Sequence, residues 1–429
     1  MTGNEYVSES TIERWTPELQ RWLDASAREA GFDAAGVAPV REAGDPATLQ
    51  DAARFAAWVD AGHAGEMEYL KRRDQEGALL RGTLRTAMPW ARSVIVCALN
   101  YNADAPRSID PAPPGTGWIA RYAWSGRTLD DGTCAPTDYH DELLTRLRRI
   151  ETELLARTPC TTRCYVDTGP MVERALAVQA GLGWTGKNTC LLNQQLGSWL
   201  LLGVIVTSLP LLPIDEQLKE HRDEQPRSVI ALPAADRCGT CTRCIDACPT
   251  GALLGARDPA APREMDASLC IAYLTIEKKG MIDEALRAPM GRQVFGCDIC
   301  QDVCPWNTKA NAKTNSKAPP IAADGMQARP ELINPALDWL AKMDAREFRR
   351  RFKGSPLERT GRKRLLRNIA IAMGNSGEAR FLPQLEVWAQ NASTEEPGKP
   401  AASDENANDR VLREAAQWAR ARILSRSSS

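Results

Sequence analysis

Residues 238–249 read C-G-T-C-T-R-C-I-D-A-C-P, and residues 297–305 read C-D-I-C-Q-D-V-C-P. The first run is C-x2-C-x2-C-x3-C-P. The second is the same pattern short of its first cysteine, and Cys270 stands upstream to supply it, with 26 residues between it and Cys297. Eight of the 13 cysteines fall between Cys238 and Cys304; Cys97, Cys134, Cys160, Cys164 and Cys190 are scattered through the first half. A dense cluster in a chain of this size, with no export signal at its start, reads as metal binding rather than as a disulfide framework.

The x2-x2-x3-P spacing is that of bacterial ferredoxins, whose fourth cysteine ligates the other of two [4Fe–4S] clusters. Three close thiolates on a tight loop cap three corners of one cubane. The fourth opens a helix that points toward the second site, and Pro249 suits that helix start. By this logic Cys238, Cys241, Cys244 and Cys304 hold one cluster, and Cys248, Cys270, Cys297 and Cys300 hold the other. A pair of zinc sites is the competing reading, but zinc rarely shows this spacing. The chain reads as a redox protein.

Upstream, the pattern alternates between helix and strand. Helices are expected at 17–31, 141–156 (Leu144, Leu147, Ile150 and Leu154 at helical spacing) and 170–180, with Pro170 at the first position of the last. Apolar runs at 93–101, 164–167 and 199–207 read as strands of a mostly buried sheet. Residues 124–138 and 210–236 read as insertions or loops, 309–332 as a linker, and 391–408 as a disordered break. The C-terminal part is helical and suggests stacked, HEAT-like pairs. The expected fold class is α+β or α/β multidomain, with an α/β domain at 1–235, a ferredoxin-type domain at 236–310 and a helical module at 330–429.

Net charge is −1, yet residues 341–380 carry 12 Lys or Arg against 4 Asp or Glu. A local excess of this size suits nucleic-acid phosphates, although a solvated basic face is the simpler account. Arg349, Arg350, Lys353, Arg362, Lys363 and Arg367 mark the region. No apolar run reaches the roughly 18 residues of a membrane helix, so a cytoplasmic monomer with no membrane partner is expected.

G-L-G-W-T-G at 181–186 has the literal form of a dinucleotide loop. It follows a helix and leads into a strand, however, and 200–210 holds no Asp or Glu, which excludes that use. It is either a close approach for another large cofactor or plain turn chemistry. Asp167, in D-T-G-P at a strand end, is an Asx turn or, if it faces a cofactor, a general acid. His140, in D-Y-H-D-E-L, partly matches the D-x-H-x-x-G of some cobalamin enzymes, but Leu143 replaces the glycine. It reads as a surface or capping residue.

Six ordered segments now combine: V-D-T-G-P (166–170), E-R-A-L-A (173–177), G-L-G-W-T-G-K-N (181–188), the first cysteine run, C-I-A-Y-L-T-I-E (270–277) and F-G-C-D-I-C-Q-D-V-C-P-W-N (295–307). With R-N-I-A-I-A-M-G-N-S at 367–376, the chain resembles the epoxyqueuosine reductases over roughly residues 20–390. That resemblance implies reduction of the wobble-base epoxide of tRNA to the cyclopentene of queuosine. It implies cobalamin with no protein ligand to cobalt, fed by two [4Fe–4S] clusters from an external electron donor, and tRNAs with a GUN anticodon. The family's acid falls on Asp167. Its cobalamin contacts fall on Arg81, Lys187, Asn188, Cys190, Leu191, Tyr273, Thr275, Asp298 and Asp167 itself. The family's Y-A-x-G-x-D-Y-H segment is split here by an insertion between Ala123 and Asp138. A cobalamin-dependent reductive dehalogenase and a non-catalytic iron–sulfur carrier are the competing readings.

Overall fold

The computed structural model describes residues 14–211, 234–255, 263–308, 325–390 and 404–427. Most of the loop at 210–236, residues 309–324 of the linker, and 391–403 of the C-terminal break lie outside them. Of that break, residues 404–408 belong to the final helix.

Four strands form the central sheet in the order β1 (Ala34–Pro39), β2 (Ser93–Asn100), β4 (Leu200–Thr207), β3 (Thr162–Tyr165). Every pairing is antiparallel. This corrects the α/β expectation: β2 and β4 are continuous apolar runs because both faces are covered, not because the sheet is parallel. Helices α1 (Pro17–Glu29) and α2 (Tyr139–Leu155) pack on one face, where Leu23, Ile95, Leu143, Leu147, Ile150 and Ile205 share a core. The buried stripe of α2 runs through Tyr139, Leu143, Leu147, Ile150 and Leu154, with Leu143 in place of the expected Leu144. The other face buries Val94, Val96, Ala177, Val204 and Val206 under α3 (Glu173–Gln179). Pro170 precedes that helix in a turn rather than opening it.

The loop expected at 124–138 is a hairpin, Ser125–Thr128 with Cys134–Pro136, extended by Gln327–Ala328 from far along the chain. Likewise Trp118–Ile119 pairs in parallel with Gln293–Phe295. Trp184–Thr185 pairs with Leu191–Leu192, and a Cβ on Gly183 would stand 2.0 Å from the Leu192 carbonyl oxygen.

Three helices close the chain: α4 (Gly361–Ser376), α5 (Leu382–Gln390) and α6 (Asp404–Ser427). The first ends at Gly377 in the left-handed region (φ 73°), as helix C-termini favour. Gly374 lets α4 approach α6, since a Cβ there would meet the Ala419 Cα at 2.7 Å. Their core is continuous with Trp118, Trp124, Tyr273 and Phe295. The boundaries at 235, 310 and 330 are thus crossed by both sheet pairing and packing.

Candidate active site and cluster cysteines

Asp236 caps the first cysteine loop by accepting from the Cys238 amide at 2.7 Å, and the Cys241 amide returns to the Cys238 carbonyl at 3.1 Å. The short helix Arg243–Ala247 then carries Cys244, and Cys248 turns extended at its end. None of the thirteen cysteines is in a disulfide. Burial pushes the Cys244 thiol up to about 12, and the nearby charges that add to this are those of Cys304, Cys238 and Cys241. Burial also pushes Cys297 well up, with Cys270 and Cys248 among the contributing neighbours. Cys300 is raised first by its hydrogen bond with Cys190, then by burial and by Cys297 and Cys270. The charges of Cys304, Cys238 and Cys241 thus act on Cys244, and those of Cys270 and Cys248 on Cys297. Among the described residues no three His, Cys, Asp or Glu side chains close around a point as ligands of one ion do.

Asp167 follows β3 with φ 56°, a left-handed conformation that Asp tolerates better than most residues. Its side chain is 67% exposed. Tyr139 donates to its Oδ2 at 3.2 Å, and His140 Nε2 lies 4.0 Å from the same oxygen. Burial, then the Asp167 charge, hold the Tyr139 phenol well above its ordinary range, so it stays a donor. Behind it Asp138 caps α2, accepting from the His140 amide, and its Oδ1 stands 2.8 Å from His140 Nδ1. Arg359 arrives from the turn before α4 and pairs with Asp138, its guanidinium 2.7 Å from His140 Nδ1 and 3.3 Å from Nε2. The expectation of a surface or capping histidine fails here: Asp138 is the cap, and the ring sits between two carboxylates. A D-x-H at a helix start was the available signal. Nothing local in the sequence pointed to Arg359.

Glu173, the first residue of α3, is pushed up to about 7 by burial and then by the charge of Asp167. Among the described residues its Oε1 is buried without a hydrogen-bond partner. Arg81 lies nearby, donating to the Met171 carbonyl at 3.0 Å with its guanidinium 5.5 Å from the centre of the Tyr69 ring. A carboxyl raised on folding binds its proton more tightly in the native state. Its contribution is therefore full below about 4.5 and lost as pH rises through about 7. Glu173→Gln should remove that loss. Denaturant titrations at pH 5 and pH 8 should show the variant gaining on the parent by on the order of 3 kcal/mol at the higher pH; a gap independent of pH would contradict this.

The remaining anticipated residues divide. Lys187 is 1% exposed, with Nζ on the Gly239 carbonyl at 2.9 Å, and Asn188 Nδ2 reaches the Cys300 carbonyl at 3.4 Å. Cys190 lies against Cys300, and Leu191 is buried in the small hairpin. Tyr273 accepts from the Glu66 amide at 2.8 Å, Thr275 from the Gly296 amide at 2.9 Å, and Asp298 from Trp118 Nε1 at 3.0 Å and the Arg121 amide at 2.9 Å. Lys187, Tyr273, Thr275 and Asp298 are all buried and bonded to protein.

On the basic face, Arg349, Arg350 and Lys353 are exposed, while Arg362 and Lys363 are half-buried. Arg367 must be taken off that face. It is 1% exposed and donates to the carbonyls of Leu274 (2.6 Å), Lys278 (2.8 Å) and Gly280 (2.6 Å), at the C-terminus of the helix that follows Cys270. A cation suits that helix end, and its loss would leave three carbonyls unpaired. Arg367→Met should cost about 3 kcal/mol or more of unfolding free energy and leave tRNA affinity of the folded fraction unchanged. Weaker affinity at unchanged stability would return Arg367 to the RNA face.

Residues 237–307 match the family model described as "4Fe-4S double cluster binding domain", and residues 81–168 match "Epoxyqueuosine reductase QueG, DUF1730". The epoxyqueuosine reductase of Xanthomonas campestris is 38% identical, covering 84% of this chain and 88% of its own. That of Escherichia coli is 34% identical over 81% and 79%. A crystal structure of epoxyqueuosine reductase with a tRNA-Tyr epoxyqueuosine-modified stem loop superimposes with a TM-score of 0.71 at 28% identity, covering 95% of this chain and 90% of that one. The Bacillus subtilis enzyme gives 0.70 at 27% identity with the same coverage. The chain belongs to the epoxyqueuosine reductase family.

Proposed function

We propose that this chain reduces the epoxide of epoxyqueuosine in tRNA to the alkene of queuosine, with Asp167 as the acid that protonates the departing oxygen. The observation that carries this reading is an exposed carboxyl on a left-handed turn, held by a neutral phenol, in a chain whose residues 237–307 match a 4Fe-4S double cluster binding domain. Cobalamin, when bound, supplies the metal nucleophile, and the two [4Fe–4S] clusters supply it with single electrons from an external donor. Glu173 Oε1, a buried carboxyl oxygen with no partner among the described residues, fits a large cofactor bearing amide donors, with Arg81 beside it. Arg81 and the 187–191 segment would hold that cofactor, backed by Tyr273, Thr275 and Asp298. Tyr139 orients the Asp167 carboxyl. Arg349, Arg350, Lys353, Arg362 and Lys363 would meet tRNA phosphates, with affinity that falls as salt rises. The setting is the cytoplasm, where tRNA is modified; among the described residues no helix is long and apolar enough to cross a membrane.

The decisive assay is anaerobic. Protein loaded with cobalamin should carry about eight irons and one cobalt per chain, and should convert epoxyqueuosine to queuosine in a GUN-anticodon tRNA when given a low-potential reductant. Fully loaded protein that leaves the epoxide intact would refute the proposal.

A further inference from the structure

Removing an epoxide oxygen as water needs more than one proton. Two C–O bonds break, one C=C bond forms, and the balance is two electrons and two protons in, one water out. The electrons come from the external donor of the established family reaction. Asp167 carries one proton at a time, so it must be recharged within a turnover, and the structure holds a group placed to do so.

We propose that His140, held between Asp138 and Arg359, returns a proton to Asp167, so that a single acid serves both bond cleavages. This rests on the assignment of Asp167 as the acid. The imidazole lies between two carboxylates, with Nδ1 at 2.8 Å from Asp138 Oδ1 and Nε2 at 4.0 Å from Asp167 Oδ2. Nδ1 faces Asp138 Oδ1 and the Arg359 guanidinium, and Nε2 is the nitrogen that faces the acid. In the transfer the Nε2–H bond breaks, its electron pair stays on nitrogen, and the proton goes to Oδ2. The ring is 16% exposed, which lets water restore the proton. The groups facing it are Asp138 and Tyr139 on its own helix, Asp167 from the loop after β3, and Arg359 from the turn before α4.

Arg359 is a positioning residue. It pairs with Asp138 and touches the imidazole, yet it sits 219 residues away in the C-terminal module, three positions before Arg362 of the basic face. The proton supply is thus tied to the part of the chain that would carry the tRNA.

The test uses full-length, cluster- and cobalamin-loaded enzyme with modified tRNA, and reads kcat and KM separately across pH. His140→Gln should lower kcat about 100-fold, leave the KM for tRNA within about twofold, and lose the pH dependence that the imidazole imposes. His140→Gly should regain rate with added imidazole, which repair of a merely structural defect would not give. Arg359→Ala should lower kcat about tenfold with KM held, and Arg359→Lys should recover part of it by keeping the pair with Asp138. Wild-type kcat in His140→Gln at every pH, or a loss that imidazole cannot restore, overturns the relay. An Arg359→Ala effect confined to KM makes that residue an RNA contact instead. Asp167→Asn is the separate control: if it turns over normally the acid assignment has failed, whereas if it is inert and His140→Gln is normal, only the relay has.

Discussion

Asp167→Asn should lower kcat for epoxide reduction by about 100- to 1,000-fold while iron content, cobalt content and tRNA affinity stay as they were. The carboxamide has the shape of the carboxyl but cannot release a proton. Asparagine tolerates the left-handed backbone at φ 56° as aspartate does, and its amide oxygen can still accept from Tyr139. The turn and its surroundings should therefore persist, and the loss should lie in chemistry. Asp167→Ala is the poorer probe, because alanine in that conformation adds about 1 kcal/mol of strain and mixes a folding defect with a catalytic one. The measurement is single-turnover conversion under saturating enzyme, with melting temperature and absorbance spectrum as controls. A rate within threefold of the parent would remove Asp167 from the reaction and leave the acid to be sought elsewhere, with Glu173 next in line.

The sequence spoke most clearly where covalent spacing itself carries the chemistry. The cysteine runs could be divided into two sets before any fold was known, because three thiols within seven residues share a loop and the fourth cannot. Strands and helices were legible from burial period, and β2, β4 and α2 lie within a few residues of their expected ranges. Strand direction was not: a strand buried on both faces looks the same whether its neighbours run parallel or antiparallel, and only the connections decide. Long-range polar contacts were equally hidden. Arg367 and Arg362 have the same side chain and stand five positions apart, yet one is sealed under the helix after Cys270 and the other is half-exposed. Arg359 and His140 are a contact across 219 residues that no local pattern encodes. The candidate acid could be placed from its motif, while the groups that orient and supply it could be placed only from the fold.

The cysteine sets make the second large prediction, because chain order and cluster membership disagree at two positions. Cys304 follows Cys300 by four residues, yet it is assigned with Cys238 and Cys244, and Cys248 follows Cys244 by four yet is assigned with Cys297 and Cys270, in line with the charges that act between them. Exchanging any one ligand for serine should take about four of eight irons from the chain and abolish turnover, since the electron path is broken wherever it is cut. The information lies in the pairs. Cys244→Ser with Cys304→Ser should lose no more iron than either alone, and so should Cys248→Ser with Cys297→Ser. Cys244→Ser with Cys248→Ser, or Cys300→Ser with Cys304→Ser, should lose nearly all of it. Iron and sulfide analysis after anaerobic reconstitution, with the reduced protein followed by electron paramagnetic resonance, reads this directly: each single variant should keep one cluster signal and lose the other. If Cys304→Ser instead combined silently with Cys300→Ser, membership would follow chain order, and the crossing that lets two clusters sit on one short stretch would not exist.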